Sequence, residues 1–342
     1  MRKSFIGIVI VCLSLLCMIG CSADSVTDIS SKDMIEPLTA PEDENVIVVG
    51  VSQMGSESVW RSANTTSVQE TFSKESGYFA IMKNGRQKQE NQIKDIRSFI
   101  SQRVDYIIVA PVIESGWETV LKEAKDAGIP VIIMDRMLNV TDDSLYVTHV
   151  GSDMQGEGQR AGLWLEKKLA KDKRNTEEID IVVIQGTRGS SAQRGRTKGF
   201  DTIAERHANW NILTQIDGDF TLRKGKEVMR QILKTYPDFD VLVCQNDDMA
   251  FGALEALDEA GIKTGVDGDV ILISFDATKE ALELVQQGII DADVECNPDQ
   301  GDDILRIIKK VEAGEPVAKN YTVSEKMFTI ENVDLFIEGR TY

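Results

Sequence analysis

Short runs of Val and Ile recur along this chain at intervals that leave room for one helix between each pair, and that rhythm constrains the fold more than any other feature. The predicted strands are residues 46–52, 78–82, 106–110, 131–134, 145–150, 179–184, 212–216, 241–244, 270–274 and 291–296. Between them lie amphipathic stretches, with Ile93, Ile96 and Ile100 on one helical face and Ile304, Ile307, Ile308 and Val311 on another. Runs such as YIIVA and VIIM are apolar at every position, as strands are when helices cover both sides of a parallel sheet. The class is therefore α/β with right-handed crossovers, and the length favours two sheets of about five strands each.

The N-terminus speaks to compartment. Arg2 and Lys3 precede an apolar run over residues 5–19 that is short for a membrane span and has the pattern of a signal peptide. Met18-Ile19-Gly20-Cys21 resembles a bacterial lipobox, in which the cysteine is lipidated and becomes the new N-terminus. An ordinary signal peptide cleaved elsewhere, or a short anchor, is the competing reading. The expectation is a signal peptide over 1–20, lipidation at Cys21, a flexible Ser/Asp/Glu/Pro-containing tether over 21–45, and an extracytoplasmic, lipid-anchored body.

A formal charge of −18 argues against nucleic acid, whose phosphates need a basic face. Beyond the signal region only Cys244 and Cys296 remain, both in strand-like runs where a thiol acts as a small hydrophobe. The two histidines, His149 and His207, stand far apart, so neither a metal nor a cofactor is expected. No Gly-rich dinucleotide loop, phosphate-binding lysine loop, nucleophile elbow or nucleophile–histidine pair appears, which disfavours an enzyme.

In open parallel sheets, ligands bind at the carboxyl ends of strands. Read in order, those ends carry Gln53-Met54-Gly55-Ser56-Glu57-Ser58-Val59-Trp60-Arg61, Pro111-Val112, Asp135-Arg136, Gln193-Arg194-Gly195-Arg196, Asp217-Gly218-Asp219-Phe220, Gln245-Asn246-Asp247-Asp248 and Phe275-Asp276. The set suits a polyol. Carboxylate, amide and guanidinium groups each grip adjacent hydroxyls, and an aromatic face packs against C–H groups. Asp135 beside Arg136 is expected to be a compensating pair. Taken singly, each residue has a plainer reading. Asn246 and the acids after it are good helix caps, Trp60 and Trp117 could be core, and Arg194, Arg196 and Lys198 could be a solvated helix face.

At these residues the chain resembles the ribose/galactofuranose-type periplasmic sugar-binding proteins, nearer the galactofuranose type. The stretches that carry the resemblance are VGVSQMGSESVWRSA (49–63), QKQENQIKDIRSFI (87–100), VLKEAKDAGIPVIIMDR (120–136), GDFTLRKGKEVM (218–229) and NDDMAFGALEALDEAG (246–261). The resemblance implies a type I periplasmic-binding fold of two lobes, a hinge of three crossovers and a ligand cleft. It places residues 46–150 and about 277–295 in the first lobe, and 151–276 and about 297–335 in the second. It implies that Asp135, Arg136, Arg196, Asn246 and Asp276 grip sugar hydroxyls and that Phe220 stacks on the ring. The SESxWR pattern makes Ser56, Glu57, Trp60 and Arg61 candidates and disfavours ribose, while Cys296 stands where ribose binders contact sugar through glutamine. The implied role is a monomeric solute-binding protein that serves the permease and ATPase of an ABC importer. Presentation of the closed form to a membrane receptor or sensor kinase is the alternative.

Overall fold

Alternation of side chains along each strand decides the layering of this protein. A computed structural model describes residues 46–342; the signal-peptide, Cys21 and tether expectations lie outside the described residues. The first part of the chain runs β1 (Ile47–Gln53), α1 (Val59–Thr71), β2 (Tyr78–Asn84), α2 (Gln89–Gln102), β3 (Tyr106–Val109), α3 (Glu118–Asp126), β4 (Val131–Met134) and β5 (Thr148–Gly151). It continues through α4 (Met154–Lys171), β6 (Ile179–Gln185), α5 (Ser191–Ala204), β7 (Trp210–Asp217), α6 (Leu222–Thr235), β8 (Val241–Cys244) and α7 (Asp247–Ala260). Then come β9 (Ile271–Asp276), α8 (Lys279–Gln286), β10 (Ala292–Glu295), α9 (Gly301–Glu312), β11 (Asn320–Thr322) and β12 (Met327–Thr329).

These strands form two six-stranded sheets, ordered β11-β5-β4-β3-β1-β2 and β12-β10-β9-β8-β6-β7. Pairing is parallel throughout, except that β12 runs antiparallel to β10. In the first sheet Ile107, Val109 and Ile133 point to a layer with Ile96 and Phe99 of α2 and Leu121 of α3. Their neighbours Ile108, Ile132 and Met134 point the other way, onto Val68 of α1 and Ile304, Ile307 and Ile308 of α9. The second sheet repeats the scheme. Val182, Ile184 and Leu242 join Met229 of α6, Ala253 of α7 and Leu282 of α8, while Ile181, Val183 and Val241 join Leu165 of α4 and Phe200 of α5. This is the two-faced burial that the apolar runs demand.

The chain passes between sheets three times: at 151–154 between β5 and α4, at 296–300 between β10 and α9, and at 323–326 between β11 and β12. The lobe boundaries differ from expectation here. Residues 277–295 were expected in the first lobe, yet α8 packs under the second sheet and β10 pairs with β9, from Ala292↔Ile273 to Glu295↔Asp276. Conversely α9 and β11 belong to the first lobe, and only β12 and the residues after it return to the second. The physical reason is local: β9-α8-β10 is one βαβ unit whose two strands become parallel neighbours. The strands β11 and β12 escaped the sequence reading because each is three residues long and carries no apolar run.

Candidate ligand cleft

Both sheets end against one cavity, lined by Glu57, Trp60, Arg61, Asp135 and Arg136 from the first lobe and Arg196, Phe220, Asn246 and Asp276 from the second. Several of these side chains are aimed by unusual backbone. Asp135 at the end of β4 has φ 61°, Asp219 and Phe220 after β7 have φ 54° and 58°, and Asp276 ending β9 has φ 110°. Such conformations cost energy in non-glycine residues and gather where geometry serves a site. Phe220 also needs Gly186 beneath it, because a Cβ there would lie 1.8 Å from the ring.

On the first lobe, the Ser58 hydroxyl caps α1 by accepting the Arg61 backbone N–H at 3.0 Å, which brings Trp60 and Arg61 to the cavity on the first turn. The Arg61 guanidinium donates to Asp135 at 2.6 Å and to Glu57 at 3.3 Å, and all three groups are nearly buried. Asp135 is thus paired with Arg61 and not, as adjacency suggested, with Arg136, because the first turn of α1 brings the Arg61 guanidinium to the end of β4. Arg136 is only 4% exposed, donates through Nη1 to the Val112 carbonyl at 3.3 Å, and leaves its Nε without a partner. Its guanidinium lies 4.8 Å from the Phe220 ring centroid, across the gap between lobes. Burial, helped by the charge of Arg61, lowers its pKa to about 10, so it remains a cation at neutral pH.

The second lobe has its own charge cluster. Arg196 Nε donates to Glu157 at 2.6 Å and Nη2 to Asp276 at 3.2 Å, and Nη1 donates to the Gln245 carbonyl. Burial works to lower the Arg196 pKa, but Glu157 and Asp276 outweigh it and hold the group well above its ordinary value. Asp276 is pushed well above the usual carboxylate range by burial, with Arg196 pulling the other way and Asp247 and Glu157 adding to the rise. Glu157 sits on α4, which meets α5 so closely that a Cβ on Gly158 would lie 2.2 Å from the Arg196 carbonyl oxygen.

Asn246 caps α7, its Oδ1 accepting from the Met249 N–H at 3.0 Å, and the residue also lines the cavity. Trp60 borders the cavity too, packs into the second lobe's core and donates from Nε1 to the Cys296 carbonyl at 2.5 Å, whereas Trp117 is core. Ser56 is the exception among the candidates. It is exposed and outside the cavity, because the loop turns inward only at Glu57. The lining also includes Ser58, Met154, Ala192 and Cys296, and Glu157 stands behind Arg196; none was a sequence candidate. A charged residue between Gly156 and Gly158 was the available signal for Glu157, since paired glycines mark a close helix contact.

Residues 48–316 match the periplasmic binding protein domain family. The chain is 39% identical over 284 residues to the galactofuranose-binding protein YtfQ of Escherichia coli (strain K12), covering 82% of this chain and 85% of that one. Among solved structures it is similar to a Mycobacterium smegmatis protein in complex with β-D-fucofuranose (38% identity, TM-score 0.82, covering 87% of this chain and 96% of that one). It is similar also to the periplasmic binding component of the arabinose ABC transporter from Shewanella sp. ANA-3 bound to α- and β-L-arabinofuranose (39% identity, TM-score 0.80, covering 86% and 95%).

Proposed function

Because the chain belongs to the periplasmic binding protein family, we propose that it is the extracytoplasmic solute-binding protein of an ABC importer and that its ligand is a monosaccharide in the five-membered furanose form. Membership of the family carries the binding role and the location outside the cytoplasm. One observation carries the polyol reading. Arg136 and Glu57 line the cavity between lobes together with Trp60 and Phe220, and Arg136 Nε and Glu57 Oε2 are buried without partners. A cation donor and a carboxylate acceptor that have lost water need hydroxyls, which are donor and acceptor at once. The furanose reading is supported by the relatives named for galactofuranose, fucofuranose and arabinofuranose.

The ligand contacts in this reading are Glu57, Trp60, Arg61, Asp135, Arg136, Arg196, Phe220, Asn246 and Asp276. The lobes close on the sugar about the three crossings, because contacts from the second lobe exist only in the closed form. A closed monomer, tethered through a lipid on Cys21, then presents both lobe surfaces to the permease, and the chain itself does no chemistry. Titration calorimetry with D-galactose, D-fucose, L-arabinose and D-ribose, against methyl β-D-galactopyranoside, tests the ring form. Free galactose, fucose or arabinose should bind, weakened in apparent affinity by the small furanose fraction in solution. The locked pyranoside should give no heat, and its binding as well as the free sugar would rule out the furanose preference.

A further inference from the structure

The three crossings between lobes bring together a cluster that sugar binding does not account for. Ser152 lies on the first crossing, Cys296 on the second and Glu325 on the third, and Glu157 reaches the same point from the first turn of α4. Cys296 Sγ and one oxygen each of Glu157 and Glu325 all lie within 4.8 Å of one another. Glu157 and Cys296 are 0% and 2% exposed, and the Glu325 side chain is 2% exposed. Glu157 Oε2 accepts from Arg196 at 2.6 Å, but its Oε1 is buried and has no partner. Glu325 accepts from Arg160 Nη2 at 3.0 Å and from the Asn297 N–H at 3.2 Å, and Ser152 also hydrogen-bonds its side chain, which leaves one carboxylate oxygen with a second lone pair. Ser152 Oγ stands 3.3 Å from the Cys296 sulfur.

We propose that this cluster is a site for a thiophilic divalent cation of the zinc class, held by Glu157 Oε1, Cys296 Sγ and an oxygen of Glu325. One thiolate with two carboxylates is a donor set that zinc accepts and that calcium or magnesium, which take oxygen alone, do not favour. Three protein ligands leave a fourth position for the Ser152 hydroxyl or water. Binding releases to solvent the protons that burial keeps on the Cys296 thiol and on Glu325, and the guanidiniums of Arg160 and Arg196 offset the carboxylate charge that the cation does not cancel. Tetrahedral spacing asks the donors to approach by about 1 Å, a shift that interlobe crossings can supply. Cys296 also lines the ligand cavity, so an open cleft gives the ion a route in. A bound ion would tie all three crossings together and stiffen the hinge. Sequence spacing argued against any metal, because the donors are scattered along the chain and none is histidine.

Cobalt(II) titration of the full chain tests the site. The difference spectrum, wild type minus Cys296→Ser, should show a thiolate-to-cobalt charge-transfer band that saturates at one equivalent and disappears when zinc is added. Glu325→Gln should weaken the binding at least ten-fold, and Cys244→Ser should keep it. No difference band, an unchanged affinity in Glu325→Gln, or loss of the band in Cys244→Ser would each overturn the proposal. Should the variants fold poorly, the wild type decides alone: zinc must raise its melting temperature, and no rise at saturating ion refutes the site.

Discussion

Arg61 and Arg136 show how two buried arginines in one cavity carry different burdens. Arg61 is neutralised by Asp135 and Glu57, whereas Arg136 has one carbonyl and an aromatic ring, and its cavity side is unspent. Removing Arg61 strands two buried carboxylates, so Arg61→Ala should lose about 3–5 kcal/mol of folding stability in the absence of sugar. Removing Arg136 strands no partner charge. Arg136→Ala should leave the urea midpoint of the sugar-free protein unchanged or raised, yet weaken sugar binding by about 2–5 kcal/mol. Calorimetry and urea denaturation on both variants check this, and equal loss of stability in the two would contradict the division of labour. The strand ends were legible as a list of polar residues, because apolar runs stop where parallel strands end. Which of them touch was not legible. Asp135 and Arg136 are sequence neighbours, yet the Asp135 carboxylate pairs with Arg61, 74 positions away. Ser56 lay outside because the loop reaches the cavity one residue later.

Helix starts deliver several of these groups beside the strand ends, and α7 shows the electrostatic cost. Its first residues, Asp247 and Asp248, follow the Asn246 cap, where acids are ordinarily welcome. Burial first, then the charges of Asp247 and of Glu57 on the other lobe, raise the Asp248 carboxyl from 3.8 to about 7. A raised carboxyl means that the folded form holds the proton more tightly than the unfolded chain. The stability from Asp248 is therefore complete below pH 3.8 and lost as pH rises through about 7. Asp248→Asn keeps the side chain uncharged at every pH. The variant should lose that slope and exceed the wild type at about pH 8 by on the order of 1–3 kcal/mol, after allowance for solvent screening. Urea unfolding across that range reads the slope directly, and parallel curves for the two proteins would refute the assignment. At this scale the sequence was readable wherever periodicity was strong: all ten expected strands form, α7 begins at its cap, and the two-faced burial follows from the apolar runs. Which lobe α8, β10 and α9 join was not readable, because their apolar faces fit either sheet and the choice depends on which strand edge is free.

Closure of the whole molecule rests on contacts that cross between lobes, among them Arg136 against the Phe220 ring in the cavity. Near the hinge, Trp60 donates to the Cys296 carbonyl. Elsewhere across the cleft the Glu114 N–H donates to the Gly189 carbonyl at 3.1 Å, the Met137 N–H to Ser191 Oγ at 2.8 Å, and Arg194 pairs with Glu114 at 2.7 Å. Arg194 is 64% exposed, so that ion pair is worth about 0–1 kcal/mol, and each neutral bond about 1 kcal/mol. Contacts of that size bias the equilibrium without locking it, and the remainder of the closing free energy has to come from the ligand. The ion pair forms only after the lobes meet, so it bears on escape of the sugar and not on its arrival. Glu114→Gln should therefore raise the dissociation rate by about 2–5-fold, the kinetic equivalent of a surface ion pair, and leave the association rate within about two-fold. Stopped-flow tryptophan fluorescence, with Trp60 at the cavity wall as reporter, separates the two rates. An unchanged dissociation rate would mean that the Glu114–Arg194 pair forms without restraining the closed state, and that the ligand alone holds the lobes together.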